Sequence, residues 1–157
     1  WSWSRGLGDV YKRQAITVSP YMGEESIEPF ISNPSKGAYV LCRTSNKSST
    51  FIQEEIYSKV ISLCEALNNQ QNIGLVVGAT NDDALMQVRN STDLPFLIPG
   101  IGAQGGDLQS VLKINENSMD TTLINVSRGI IFSGNKDHDS IRNSAKQYLN
   151  QLRGLNG

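Results

Sequence analysis

The amino-acid sequence predicts an α/β fold with a parallel β-sheet, and three observations lead to this prediction. Five short apolar runs recur along the chain, amphipathic stretches lie between them, and successive runs begin about 22 to 35 residues apart. Apolar runs without alternating polar residues are typical of strands buried on both faces of a sheet. Because βα units recur at this spacing with right-handed crossovers, the pattern predicts either a doubly wound sheet or part of a (β/α)8 barrel.

The five predicted strands are rich in β-branched residues. They span Ala15–Val18, Ala38–Cys42, Ile73–Val77, Pro95–Ile98 and Thr122–Val126. A complete (β/α)8 barrel takes ~250 residues, whereas this chain has 157. We therefore expect the C-terminal part of such a barrel, incomplete at its N-terminus.

Two helices are predicted between the strands by capping residues and apolar spacing. Thr50 and Gln53 match the capping-box pattern at the start of the first helix. The expected apolar stripe of that helix comprises Ile52, Ile56, Val60, Leu63 and Leu67. Asn81 is expected to cap the second helix, with Leu85 and Val88 facing inward.

A third helix is predicted near the C-terminus, where acidic Asp137 and Asp139 precede an apolar stripe. The stripe comprises Ile141, Ala145, Tyr148, Leu149 and Leu152. Acidic residues at a helix N-terminus interact favourably with the helix dipole. Further helices are expected to begin near Glu24 and Asp107.

Residues 1–14 differ in character from the rest of the chain. The segment Trp1–Gln14 contains both tryptophans, lacks an initiating Met and carries three basic residues against one acidic residue. It has neither the ~7–15-residue apolar core of a signal peptide nor a helical or alternating period. We therefore interpret it as a non-native segment resembling a linker or adapter, and assign residues 15–157 to the barrel.

The overall composition argues against several classes of function. The formal net charge is −1 and the pI is about 5.8, which argues against nucleic acid as a partner. No apolar run reaches the ~20 residues that a membrane span requires. Cys42, Cys64 and the single His138 do not suffice for a zinc site or a disulfide framework. We expect buried thiols in a reducing compartment, and hence a cytoplasmic protein without a metal site.

The glycine-rich loop Gly100–Gly106, which follows the fourth predicted strand, is the most informative segment. Ligands of both α/β architectures bind at the carboxyl ends of the strands. We expect the glycines to leave backbone N–H groups unshielded beside a helix that begins near Asp107, which favours a phosphate dianion. Arg128, after the fifth strand, is placed to grip the same anion with two planar donors. The alternative is a flexible turn with a surface arginine.

Other chemistries find less support in the sequence. The segment Gly100–Gly105 matches the dinucleotide fingerprint G-x-G-x-x-G, but that fingerprint normally opens the first βαβ unit and expects an acidic residue at the end of the next strand. Here the next strand leads into Ser127 and Arg128, so only NADP binding through the arginine stays open. His138 lies in a polar run, and no serine has an evident base for a Ser-His-Asp assembly.

Five segments, taken in chain order, resemble motifs of the orotidine 5′-phosphate decarboxylase family, in its longer bacterial-type branch. They are Thr17–Gly23, Val40–Asn46, Ile73–Thr80, Pro95–Asp107 and Ile124–Ile130. The resemblance extends from about residue 15 to the C-terminus and follows the family's strands four to eight. It implies a (β/α)8 barrel that converts orotidine 5′-monophosphate to uridine 5′-monophosphate and carbon dioxide, without a cofactor or metal.

The resemblance also implies a set of phosphate-binding residues. The family holds the phosphate with a glutamine in the glycine-rich loop and an arginine after the last strand. These correspond to Gln104 and Arg128. Gly102, Gly105 and Ser127 belong to the same two loops and are predicted to bind the phosphate with them.

The family's pyrimidine contacts also have counterparts, whereas its catalytic motif does not. The serine that reads the base corresponds to Ser45, and Pro99 falls where the family packs a proline near the pyrimidine. Family catalysis rests on an Asp-x-Lys-x-x-Asp motif and a preceding lysine. The motif lysine protonates the carbanion as carbon dioxide leaves, and no Asp-x-Lys-x-x-Asp occurs in this sequence. We therefore expect the chain as given to be an inactive fragment of the enzyme, without catalytic residues of its own.

The resemblance further implies a homodimeric parent protein, because one catalytic carboxylate of the family comes from the partner chain. Two other functions stay open. A phosphosugar lyase or isomerase on the same barrel would share the phosphate site without a pyrimidine contact at Ser45. A non-catalytic phosphate-binding module would need the phosphate site alone.

Overall fold

The computed structural model describes residues 14–154, which contain one five-stranded parallel sheet. The strands are β1 (Ala15–Val18), β2 (Gly37–Arg43), β3 (Ile73–Val77), β4 (Phe96–Pro99) and β5 (Thr122–Asn125). Each strand pairs in parallel with the next one along the chain. A doubly wound sheet would reverse its strand order at a switch point. The sequential order is that of a barrel, so the predicted partial (β/α)8 barrel is confirmed. The interpretation of residues 1–14 falls almost wholly outside the described residues.

Six α-helices lie within the described residues. They are α1 (Glu28–Ile31), α2 (Thr50–Leu67), α3 (Asp82–Arg89), α4 (Leu108–Ile114), α5 (Arg128–Ile131) and α6 (His138–Arg153). Short 3-10 turns occupy Glu24–Ser26, Lys47–Ser49 and Glu116–Thr121. None of the helices in residues 14–154 combines the length and the hydropathy that a transmembrane span requires.

The core lies between the helices and one face of the sheet. Side chains alternate between the two faces of a strand, and Val40, Leu75 and Phe96 on the helix side are all 0% exposed. On the opposite face Leu41 and Leu97 are half-buried, and Leu123 is 53% exposed. This second face is the one that lines the inside of a barrel, and the strands' carboxyl ends open at its rim.

The predicted capping box at the start of α2 is wrong. Ser49, which precedes the helix, already has helical φ and ψ, and it makes no side-chain cap hydrogen bond. The 3-10 turn before it carries the chain into α2 without the extended residue that a cap requires. Gln53 bonds elsewhere: its Oε1 accepts from the Thr44 N–H at 2.7 Å, and its Nε2 donates to the Thr44 hydroxyl at 2.8 Å. Helix α2 thus holds the segment just after β2.

The apolar stripes of α2 and α6 are each partly misassigned. Ile52 is 51% exposed, whereas Ile61 and Cys64 are buried with Val60. Adjacent apolar residues at 60 and 61 allow two stripes about 100° apart, and periodicity alone does not choose between them. On α6, Leu149 is 42% exposed, whereas Ser144, five residues earlier, is buried. The hydroxyl of this serine donates to the Gly129 carbonyl, a contact that helical periodicity does not predict.

Three helix N-termini are capped by side chains, and the sequence predicts one of these caps. The Asn81 Oδ1 accepts from the Ala84 N–H at 3.0 Å, which begins α3. Leu85 and Val88 are both 0% exposed, as expected. The Asp107 carboxylate accepts from the Ser110 N–H at 2.9 Å, and the Asp137 carboxylate caps α6 in the same way.

The two carboxylate caps predict an acid-dependent loss of stability. Hydrogen bonds from Ser110 and Ser140 hold the pKa of Asp107 and Asp137, respectively, below the ordinary range. A folded-state pKa below the unfolded one stabilises the protein above the unfolded pKa, ~3.9 for Asp, and this stabilisation is lost as the pH falls through the folded pKa. We expect the free energy of unfolding to fall between pH 5 and pH 3 by urea denaturation. The double variant Asp107→Asn/Asp137→Asn keeps both caps and should show a shallower decrease; an equal decrease would contradict the assignment.

Candidate functional site

The loops at the carboxyl ends of β2, β3 and β4 pack directly against one another. The Gly78 N–H donates to the Arg43 carbonyl at 2.7 Å, and the Ala79 N–H donates to the Pro99 carbonyl at 2.9 Å. A Cβ on Gly78 would lie 2.7 Å from the backbone nitrogen of Ser45, closer than packed atoms approach. Glycine at 78 therefore lets the β2 and β3 loops meet at backbone distance.

Ser45 and Gln104 form a hydrogen bond across this junction. The Ser45 hydroxyl donates to Gln104 Oε1 at 2.6 Å, although the two residues are 59 positions apart. The Thr80 hydroxyl holds the Ser45 carbonyl at 3.1 Å. Gly100 has a φ of +102°, and a Cβ there would lie 3.1 Å from Gln104 Oε1. The bond joins the predicted pyrimidine contact to the predicted phosphate contact.

A cleft of about 610 Å³ opens beside this bond and brings together Ser45, Gln104 and Arg128. The charged residues that line the cleft are all cationic, namely Arg43, Lys47 and Arg128. Arg43 is neutralised by Glu54 at 2.8 Å. Within residues 14–154, neither Lys47 nor Arg128 has an ion-pair partner. The cleft therefore favours an anion.

The glycine-rich loop differs from its prediction in the use of its amides. The N–H groups of Gly102, Gly105 and Gly106 donate to carbonyls within the loop at 3.1, 2.8 and 3.1 Å. Gly102 and Gly105 have φ values of +72° and +93°, so these glycines serve the loop's shape. Within the described residues, the N–H groups of Ala103 and Gln104 are the ones in the middle of the loop that have no intramolecular acceptor.

The N-terminus of α4 is also occupied. The Asp107 carboxylate caps it, placing a negative charge where the sequence analysis expected a phosphate. The carboxylate takes up the Ser110 N–H at this helix end, and the expectation that the helix end helps to bind an anion stays a prediction. Gln104 and Arg128 line the cleft with side-chain donors, whereas the N-terminus of α4 does not line it. Ala103 and Gln104, whose backbone N–H groups have no acceptor within the described residues, line it as well.

The remaining predicted site residues lie in the same segments without lining the cleft. Pro99 ends β4, and its carbonyl accepts the Ala79 N–H. The Ser127 hydroxyl donates to Asn125 Oδ1 at 3.2 Å, and the Ser127 carbonyl accepts from the N–H groups of Ile130 and Ile131 in α5. Gly102 and Gly105 shape the loop that carries Gln104. Contacts of these four residues with a ligand stay predictions.

Sequence reasoning assigned no ligand-binding role to several residues that line the cleft. Asn46, Lys47, Thr80 and Asn81 all face it. Each follows the end of a strand directly or within a few positions, which was the available signal, but each also reads as an ordinary loop residue or helix cap.

Nucleophilic and metal chemistry find no support in the described residues. Burial raises the pKa of Cys42 and of Cys64 to about 12, so both thiols stay protonated. Their burial was the expectation from the sequence. Within residues 14–154, no group of three or more His, Cys, Asp or Glu side chains is arranged to hold a metal ion.

Comparison with known proteins yields a family match and close relatives. Residues 10–141 match the model of the Orotidine 5′-phosphate decarboxylase / HUMPS family. The chain is 42% identical over 136 residues to orotidine 5′-phosphate decarboxylase of Halorubrum lacusprofundi, covering 78% of this chain and 49% of that protein. It is 44% identical over 137 residues to the enzyme of Natronomonas pharaonis, covering 82% and 49%. The chain thus spans about half the length of the curated relatives it matches.

Comparison with solved structures also finds proteins of this kind. Leishmania donovani UMP synthase superposes with a TM-score of 0.85 at 38% identity, covering 98% of this chain and 36% of that one. Leishmania donovani OMP decarboxylase superposes with a TM-score of 0.83 at 35% identity, covering 98% and 62%.

Proposed function

Because the chain belongs to the Orotidine 5′-phosphate decarboxylase / HUMPS family, we propose that it forms the nucleotide-binding part of a decarboxylase acting on orotidine 5′-monophosphate. The products are uridine 5′-monophosphate and carbon dioxide. The observation that carries the proposal is the cleft in which Ser45, Gln104 and Arg128 meet. A nucleoside monophosphate needs a base contact and an anion contact held at a fixed spacing, and the Ser45–Gln104 hydrogen bond supplies that spacing.

Each of the three residues has a separate task in this proposal. Arg128 binds the phosphate as a bidentate cation. Gln104 contacts the phosphate while its Oε1 holds the Ser45 hydroxyl, and Ser45 presents its backbone and hydroxyl to the pyrimidine. Each hydrogen bond to the charged phosphate contributes ~1.5–3 kcal/mol. Binding energy from this remote group can be used to lower the barrier at the reacting carbon.

Proton transfer to the carbanion is assigned to residues that this sequence does not contain. The Asp-x-Lys-x-x-Asp motif of the family is absent from its 157 residues. We therefore propose that the chain alone binds nucleotide but releases no carbon dioxide from orotidine 5′-monophosphate. Release above the uncatalysed rate would contradict this. The family resemblance also underlies the proposals that the complete enzyme is a cytoplasmic homodimer that needs no metal or cofactor.

Replacing Ser45 by alanine tests the pyrimidine contact. We expect wild-type chain to bind uridine 5′-monophosphate more tightly than ribose 5-phosphate, measured by amide chemical-shift titration. Ser45→Ala removes a hydrogen bond worth ~0.5–1.5 kcal/mol, which should weaken uridine 5′-monophosphate binding about two- to tenfold while ribose 5-phosphate binding changes less.

The matched control for this titration is Ser62→Ala, an exposed serine on α2 whose hydroxyl bonds only within its own helix. Equal affinity of wild-type chain for the two ligands would favour a phosphosugar enzyme. Binding of NADP in preference to both would favour a dinucleotide site. Either result would overturn the proposal.

A further inference from the structure

The side chain of Tyr148 on α6 lies against both loops that carry the proposed phosphate contacts. A Cβ on Gly102, in the loop of Gln104, would lie 2.5 Å from the Tyr148 hydroxyl oxygen. A Cβ on Gly129, next to Arg128, would lie 2.7 Å from the same atom. One hydroxyl group therefore fills the space beside two glycines that belong to different βα loops.

The close approach of the Tyr148 hydroxyl explains why residue 129 is a glycine. The backbone of Gly102 has a φ of +72°, which by itself favours glycine. Gly129 does not lie in the positive-φ region, so its lack of a Cβ matters because of Tyr148. In the described part of the chain the Tyr148 hydroxyl makes no hydrogen bond, and the contact is one of packing.

A second residue of α6 holds the Arg128 segment from the same side. The Ser144 hydroxyl donates to the Gly129 carbonyl at 2.9 Å, and Ser144 is 8% exposed. Ser144 and Tyr148 are one helical turn apart and therefore lie on one face of α6. The helix thus contacts Gly129 through both a hydrogen bond and the phenol.

We propose that Tyr148 is a positioning residue that fixes the spacing between Gln104 and Arg128. This inference rests on the proposed function of the cleft, because it assigns both residues to one phosphate. The glycines of the Gly100–Gly106 loop allow it many backbone conformations, and ordering this loop and the Arg128 segment on binding lowers affinity. A rigid phenol against both segments removes that freedom before the ligand arrives.

A double-mutant cycle tests the contact without any ligand. Gly129→Ala forces a Cβ against the Tyr148 hydroxyl and should lower the urea midpoint of unfolding. In the Tyr148→Phe background the nearest remaining ring atom is Cζ, 3.4 Å from that Cβ, which is an ordinary contact. Because alanine is also the better helix former, Gly129→Ala should then have no effect or raise the midpoint. Equal effects in both backgrounds would overturn the proposal.

Amide hydrogen exchange tests the positioning itself. In Tyr148→Ala, the N–H groups of Gly105 and Ile130, which donate to Gly102 and Ser127 carbonyls, should both exchange at least fivefold faster. The Leu85 N–H on α3 should be unchanged. The control is Leu149→Ala, which removes the neighbouring, exposed side chain of the same helix and should accelerate neither loop. Acceleration of one loop alone, or of all amides alike, would overturn the proposal.

Ligand titration connects the contact to the site. Tyr148→Ala should raise the dissociation constant for uridine 5′-monophosphate at least fivefold and leave that for uridine unchanged, with Tyr148→Phe in between. If wild-type chain fails to bind uridine 5′-monophosphate, the proposed function fails, while exchange still decides whether Tyr148 orders the loops. If wild-type chain binds and Tyr148→Ala binds equally well, the role of Tyr148 is wrong.

Discussion

Replacing Arg128 by alanine is expected to weaken the binding of uridine 5′-monophosphate about ten- to hundredfold, the equivalent of one or more charge-assisted hydrogen bonds at ~1.5–3 kcal/mol each. Arg128 lines the cleft beside Gln104. Within residues 14–154 it has no carboxylate partner, so its donors are available for the phosphate. Uridine lacks the phosphate, and its affinity should stay the same. Titration calorimetry or amide shifts measure both ligands.

Two variants separate the geometry of the guanidinium from its charge. Arg128→Lys keeps the charge but loses the planar pair of donors, so its affinity should lie between those of wild type and Arg128→Ala. Arg142→Ala removes an exposed arginine of α6 that does not line the cleft. It should leave the affinity nearly unchanged. A loss in Arg142→Ala equal to that in Arg128→Ala would show that net charge alone attracts the nucleotide.

Replacing Phe96 by alanine is expected to cause the largest loss of stability, about 3–5 kcal/mol. Phe96 lies in β4 between two neighbouring strands and is 0% exposed. Its ring also lies under the Arg89 guanidinium, whose central carbon is 3.4 Å from the ring centroid. The same guanidinium donates to Asn115 Oδ1 and to the carbonyls of Thr92 and Leu94. Removing the ring leaves a cavity and uncovers a partly desolvated cation, and burial already lowers the pKa of Arg89.

Urea denaturation followed by circular dichroism measures this loss. Phe96→Leu keeps most of the volume and loses the cation–π contact, so a smaller decrease of about 1–2 kcal/mol is expected. This variant provides the measurement if Phe96→Ala does not fold. Phe51→Ala is the control, because Phe51 is 85% exposed and such substitutions change stability by less than about 0.5 kcal/mol. Equal losses in Phe96→Leu and Phe51→Ala would contradict the assignment of Phe96 to the core.

Helix ends show how far local sequence carries a structural prediction. The cap at Asn81 follows from one residue and the next helical turn, and it forms as predicted. Thr50 and Gln53 have the same kind of local pattern, yet Gln53 bonds to Thr44. The difference is the 3-10 turn Lys47–Ser49, whose helical backbone leaves no place for a cap. The conformation before the helix depends on how the β2 loop packs, and the cap pattern does not encode it.

In the candidate site, too, the sequence predicted some features and only the structure showed the others. Ser45, Gln104 and Arg128 are recognisable from short motifs at the ends of strands, because parallel strands bring their carboxyl ends to one rim. Their mutual arrangement is a property of packed loops. The amides of the glycine-rich loop were expected to be free, but those of Gly102, Gly105 and Gly106 donate to carbonyls inside the loop. Tyr148 was predicted as one member of an apolar helical stripe, whereas its hydroxyl reaches two glycines on different loops.

The sequence by itself determined the five parallel strands, their approximate positions along the chain and the family to which the chain belongs. Those features depend on apolar runs, helical periods and short motifs, all of which are local along the chain. Only the tertiary structure decided that Ser45 bonds to Gln104, that Asp107 closes the N-terminus of α4, and that Tyr148 lies between two loops. The Ser45–Gln104 and Tyr148 contacts join residues that are far apart in the sequence. In the case of Asp107, the structure shows which acceptor the helix-terminal N–H group uses. Both kinds of contact depend on the steric fit of segments that meet only in the folded chain.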